Sequence, residues 1–125
     1  MSKQYKVILV EDDESLRTLY KEAFTHNNFE VVEAEDGQLG VDYTLQTMPD
    51  VIILDLMLPR QGGLSVLRIL RSHPDTKNIP IIIMTALPNP EYQDVAKGKV
   101  QAYFLKTQVK PQELVDKALE LLKDK

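Results

Sequence analysis

The strongest constraint on this chain is a pair of short segments with no polar face. Val51-Ile52-Ile53-Leu54 and Ile81-Ile82-Ile83-Met84 are apolar at every position. A strand sends successive side chains to opposite faces, so an unbroken apolar run belongs to a strand covered on both sides. Tyr5 to Val10 reads as another strand, continuously apolar from Val7. Between the strands the apolar spacing switches to the helical period. Leu16, Leu19, Tyr20, Ala23 and Phe24 share one helical face, and Asp13 stands where an N-cap belongs. Leu64, Val66, Leu67, Ile69 and Leu70 form a second face that stops near His73-Pro74. Leu114, Val115, Ala118, Leu119 and Leu122 form the last, with Pro111 suited to its first helical position.

The other elements are less sharply marked. Glu30 to Ala34 reads as a second, more polar strand, and Asp36 is placed to cap a helix from about Gly37 to Thr47. Pro88 and Pro90 mark a loop, a short fourth helix is expected from about Glu91 to Lys97, and Ala102 to Leu105 is a short fifth strand. Strands and helices in strict alternation, five of each, imply an α/β fold: a parallel sheet with helices on both faces and right-handed crossovers. The polar second strand and the short fifth suit the sheet edges. That gives the flavodoxin-like, doubly wound (βα)5 order 2-1-3-4-5.

The chain of 125 residues fits one domain, and no repeat, linker or low-complexity tract divides it, so 1–125 is expected to be a single domain. No cysteine is present, which excludes a disulfide framework and a thiolate metal site. The N-terminus has no signal-peptide pattern and the apolar runs are far too short to span a bilayer, so a cytoplasmic protein without membrane contact is expected. The net charge is -4, with Lys and Arg spread along the chain, which argues against direct nucleic-acid binding.

In a sheet of this order, ligands bind beyond the carboxyl ends of the strands at the switch in strand order. The first strand ends in Glu11-Asp12-Asp13, the third in Asp55, the fourth in Thr85-Ala86, and Lys106 follows the fifth. Each residue has an ordinary reading when taken singly: a helix cap, a loop carboxylate, a structural hydroxyl, a surface charge. Their arrival at successive strand ends brings carboxylates, a hydroxyl and an ammonium to one rim. A carboxylate at a rigid strand end can act as a nucleophile and form an acyl phosphate. Crowded carboxylates repel unless a cation sits among them, and at an oxygen-only site Mg2+ is the favoured ion. Thr85 can donate to a phosphoryl oxygen, and Lys106 can pair with Asp55 or with the phosphoryl group.

With these residues in place, the sequence resembles the response regulator receiver family over essentially its whole length. The matching stretches are Ile8-Leu9-Val10-Glu11-Asp12-Asp13-Glu14, Ile53-Leu54-Asp55-Leu56-Met57-Leu58-Pro59 with Gly63 beyond, Met84-Thr85-Ala86, and Tyr103-Phe104-Leu105-Lys106. The resemblance implies Asp55 as phosphoacceptor and Glu11 and Asp12 as the acidic pair, with Asp12 a direct Mg2+ ligand and Glu11 acting largely through water. It implies the backbone carbonyl of Met57 as a further ligand, Thr85 and Lys106 as phosphoryl contacts, and Thr85 with Tyr103 as the switch pair. It implies a histidine kinase or phosphotransfer protein as donor. A downstream protein or a second copy would bind the face of the fourth helix, fifth strand and fifth helix. Thr107 stands where the family usually has proline, so the Lys106–Thr107 peptide is a departure. Met57 and Leu87, both apolar, occupy the positions that tune water access in the family, which implies a long-lived acyl phosphate.

Other readings of the same residues fit less well. An interaction-only pseudo-receiver typically lacks one of these groups, and here all are present. An aspartate-nucleophile phosphatase usually carries a second aspartate two residues on, where Met57 stands. A flavin-binding domain would place small hydroxyl residues where Glu11-Asp12-Asp13 would repel a phosphate.

Overall fold

The computed structural model describes residues 4–58, 62–86, 93–94 and 97–123. They form β1 (Tyr5–Val10), α1 (Glu14–His26), β2 (Phe29–Ala34), α2 (Gly37–Thr47), β3 (Val51–Asp55), α3 (Gly63–Ser72), β4 (Ile81–Thr85), β5 (Ala102–Leu105) and the final helix α4 (Pro111–Leu122). The sheet is wholly parallel, in the order β2-β1-β3-β4-β5. Of the helix expected between Glu91 and Lys97, Gln93 and Asp94 are helical, and the Lys97 N–H donates to the Gln93 carbonyl at 2.9 Å. The rest of that segment, with Pro88 and Pro90, lies outside the described residues. Four complete helices are therefore seen among the described residues, against five expected.

The apolar runs are divided residue by residue between two cores. Ile8, Val10, Ile52, Leu54, Ile81 and Ile83 face a layer closed by Val66, Leu67 and Leu70 of α3 and by Val41 of α2. Val7, Leu9, Val51, Ile53, Ile82 and Met84 face the opposite layer, closed by Tyr20 and Phe24 of α1 and by Leu114, Val115 and Ala118 of α4. This alternation is the strand period acting on a sheet covered twice. Each buried branched side chain contributes about 1.5–3 kcal/mol relative to exposure, so both layers press on the central strands and hold their ends rigid.

Helix starts are set by local chemistry. The Asp13 and Asp36 carboxylates accept from the N–H groups of Leu16 at 3.0 Å and Leu39 at 2.9 Å. Pro111 opens α4, and the Glu113 carboxylate accepts the Lys110 N–H at 2.8 Å. The glycine at 40 lets α2 lie close on the sheet, because a Cβ there would stand 2.9 Å from Val10 Cγ1. β2 starts one residue earlier than expected, at Phe29, which is buried and pairs with Tyr5 across the edge.

Candidate functional site

The carboxyl ends of β1, β3, β4 and β5 converge as the strand order requires. Glu11 continues the β1 path: its N–H donates to the Ala34 carbonyl at 3.0 Å. Its side chain turns inward and is 0% exposed, whereas Asp12 beside it is exposed. Asp13 caps α1, and its N–H donates to Glu11 Oε2 at 3.1 Å. The acidic triplet is thus split into a buried acid, an open acid and a cap.

Asp55 is the last residue of β3 and is 1% exposed. Its Oδ1 accepts the Met57 N–H at 2.9 Å, and its Oδ2 accepts from Lys106 Nζ at 2.8 Å. Met57 itself is 46% exposed, so the approach to the carboxylate is flanked by a thioether at the surface. The loop after Asp55 folds tightly against α3: the Gly63 N–H donates to the Leu56 carbonyl at 3.1 Å, and a Cβ on Gly63 would stand 2.6 Å from the Asp55 carbonyl.

Thr85 ends β4 and is fully buried. Its carbonyl accepts the Lys106 N–H at 2.8 Å, which extends the β4–β5 pairing one residue past Leu105. Lys106 then reaches across the rim and touches two carboxylates. Its Nζ lies 2.8 Å from Asp55 Oδ2 and 2.6 Å from Glu11 Oε1. The Glu11 contact is a close ion pair, without the angles of a directed hydrogen bond at Oε1. The described peptide bonds include no cis bond, so the Lys106–Thr107 link is trans and still delivers the ammonium to Asp55.

Glu11, Asp12 and Asp55 each present an oxygen within 4.8 Å of the others'. Three carboxylates against one ammonium leave an excess of two negative charges, a donor set that suits a small divalent cation. Electrostatics already registers the crowding. Burial pushes the Glu11 carboxyl up from 4.5 to about 7, the Lys106 ammonium and the Asp13 N–H hold it down, and the charge of Asp55 raises it again. For Lys106, burial works against the charged form, but the two carboxylates overcome it and raise the ammonium above its ordinary value.

Glu11, Asp55 and Lys106 are in contact, Asp12 stands beside them, and the Met57 peptide adjoins the Asp55 carboxylate. Thr85 adjoins through its hydrogen bond with Lys106. Tyr103 lies on β5 opposite Ile83, its ring against the α3-side core and its hydroxyl shielded from solvent. Leu87 lies outside the described residues. Two features were not anticipated. One is the direct ion pair of Glu11 with Lys106, which the resemblance, giving Glu11 a largely water-mediated part at Mg2+, did not include. The other is Arg17, whose Nη1 donates to the Glu11 carbonyl at 2.8 Å. Its only sequence signal is a basic residue four positions after the Asp13 cap.

The model of the response regulator receiver domain matches residues 7–119. The chain belongs to the response regulator receiver domain family. The receiver is 33% identical over 93 residues to the phosphate regulon transcriptional regulatory protein PhoB of Klebsiella pneumoniae, an alignment covering 74% of this chain and 40% of that protein. It thus spans less than half the length of the curated relatives it matches. Among solved structures, the Vibrio cholerae chemotaxis protein CheY4 superposes with a TM-score of 0.85 at 25% identity, over 96% of this receiver and 99% of that chain. The phosphorylated cyanobacterial phytochrome response regulator RcpA superposes with a TM-score of 0.83 at 28% identity, over 97% and 95%. The receiver is therefore a signalling switch of a two-component system with a flavodoxin-like fold. No helix among the described residues is long and apolar enough to cross a membrane.

Proposed function

We propose that this receiver takes a phosphoryl group on Asp55 from a phosphohistidine on a histidine kinase or phosphotransfer protein, with Mg2+ at the acidic cluster. The supporting observation is the buried Asp55 carboxylate, fixed at a strand end, 2.8 Å from an ammonium and within 4.8 Å of two further acids. Glu11, Asp12, Asp55 and the Met57 carbonyl would hold the ion, which when bound draws charge off the phosphoryl oxygens. An Asp55 oxygen forms the new O–P bond as the P–N bond of the donor breaks, and the electron pair of that bond returns to the imidazole. Lys106 faces the phosphoryl oxygens from the β5 side, and the Thr85 hydroxyl donates to one of them. RcpA, a relative of the same fold, is known in a phosphorylated form.

In this reading the dianion biases Thr85, the segment after it and Tyr103. The face of the segment around 91–97, β5 and α4 then changes and binds a downstream protein or a second copy. Residues 1–125 act as a single receiver domain in the cytoplasm, without direct contact to nucleic acid or membrane. The chain catalyses only its own phosphorylation and dephosphorylation. By the family resemblance, apolar Met57 and Leu87 occupy the positions that tune water access, so the acyl phosphate is expected to outlive that of receivers with polar groups at both. A decay half-life of seconds at neutral pH would contradict that last point. The central test is acetyl phosphate with Mg2+ followed by intact mass. A one-phosphoryl increase that vanishes in Asp55→Asn is expected, and an increase surviving that substitution overturns the proposal.

A further inference from the structure

Arg17 sits where a cation has little reason to be. It lies in the first turns of α1, its N–H donating to the Asp13 carbonyl at 2.9 Å, and a positive charge near a helix N-terminus opposes the helix dipole. Side chains on a helix lean toward the N-terminus, and this one runs back beneath the β1–α1 turn. There its Nη1 donates to the Glu11 carbonyl at 2.8 Å and its Nε donates to Glu33 Oε1 at 3.2 Å. The side chain is only 13% exposed. Glu33 belongs to the edge strand β2, and Lys21 Nζ holds its other oxygen at 3.1 Å.

Glu11 therefore has its backbone fixed at both ends. The N–H is committed to Ala34 of β2, and the carbonyl is committed to Arg17, which is itself anchored to β2 through Glu33. The carbonyl of Glu11 is one side of the Glu11–Asp12 peptide. Fixing that peptide plane fixes the direction in which Asp12, the exposed member of the acidic cluster, leaves the chain. Asp12 gains its position from the backbone, and the backbone gains its position from Arg17.

We infer that Arg17 is a positioning residue for the cation site: by clamping the Glu11–Asp12 peptide to the edge strand it presets the Asp12 carboxylate for the divalent ion. The inference rests on the proposed reading of the acidic cluster as a Mg2+ site. A guanidinium is suited to the role because its planar fork serves a carbonyl and a carboxylate at once, which an ammonium cannot do with the same rigidity. Partners that orient the ligands of a metal commonly set its affinity by about 10–100-fold.

The test is calorimetric titration of Mg2+ into the unphosphorylated chain, with thermal unfolding measured on the same samples. Arg17→Gln is expected to weaken Mg2+ binding about tenfold. Arg17→Lys should recover part of that loss, and Glu33→Gln, which leaves the Arg17–Glu11 bond in place, should weaken binding by less than Arg17→Gln. Amide NMR shifts on Mg2+ addition supply the affinity should Arg17→Gln prove too unstable for calorimetry. An unchanged Mg2+ affinity in Arg17→Gln, alongside a lowered Tm, would make Arg17 a stabilising residue only and overturn the inference while the site reading survives. Failure of the wild-type chain to bind Mg2+ at all would sink both.

Discussion

Two charged side chains lie at opposite ends of the same sheet, and they are treated in opposite ways. At the carboxyl rim, Lys106 is surrounded by carboxylates, and one of them, Glu11, is buried with its ionisation pushed to about 7. At the amino rim, Arg71 of α3 meets neutral acceptors among the described residues. Its Nε donates to the Lys99 carbonyl at 2.7 Å, its Nη1 to the carbonyls of Ile79 at 2.8 Å and Lys77 at 3.0 Å, and its Nη2 to Gln101 Oε1 at 3.3 Å. Gln101 Oε1 also accepts the Ile81 N–H at 2.8 Å, so the start of β4 and the approach to β5 are sewn to α3. Half-buried Arg71 donates to carbonyls and an amide oxygen that hold the fold together, whereas the buried acids Glu11 and Asp55 crowd each other around one ammonium, and the ionisation of Glu11 is perturbed by it.

Several measurements would break or sharpen that contrast. The largest effect belongs to the amino rim. Arg71→Ala leaves several carbonyls without their donor, and chemical denaturation should show a loss of about 3–4 kcal/mol, with acetyl phosphate reactivity retained below the new Tm. Loss of reactivity in the folded variant would mean the two ends are not separable. Next comes Gly63→Ala at the carboxyl rim. Its Cβ would stand 2.4 Å from Leu56 Cα, and backbone cannot yield as a side-chain tip can. A loss of about 3 kcal/mol together with slowed phosphorylation is expected, and a neutral result would show that the loop after Asp55 is softer than it looks.

The third effect is a pH dependence. Burial pushes the Glu11 carboxyl from 4.5 to about 7 on folding, so between those values the folded state holds the extra proton. Metal-free stability should therefore fall as pH rises from about 4.5 to about 7, by about 3 kcal/mol from this group, and level off above. Urea titrations of wild type against Glu11→Gln across that window check it, and parallel curves would remove Glu11 as the source. The smallest effect is Asp55→Asn. Removing one of the crowded carboxylates should raise metal-free stability by about 1 kcal/mol at pH 8 while abolishing phosphorylation. A destabilised Asp55→Asn would mean that the Lys106 pairing outweighs the repulsion.

Much of this was legible in the sequence because it rests on short-range rules. Val51–Leu54 and Ile81–Met84 declared a doubly covered sheet, Asp13 and Asp36 declared helix starts, and the residues ending the strands declared the rim where Glu11, Asp12, Asp55 and Lys106 meet. The ion pair of Lys106 with Glu11 was not legible, since which of two acids turns inward depends on tertiary placement of the β1–α1 turn. Arg17 and Arg71 were equally silent: each is an ordinary helical basic residue until the fold brings distant carbonyls to it. The start of β2 at Phe29 was missed because only its pairing with Tyr5 identifies it as strand.

The Lys106 N–H donates to the Thr85 carbonyl, so the hydroxyl and the ammonium are carried on adjacent rails of one ladder. The gauge of those rails is the spacing of paired strands, about 4.8 Å, and no substitution at either residue changes it. The reach of the site can be altered only through the length of the side chains mounted on them.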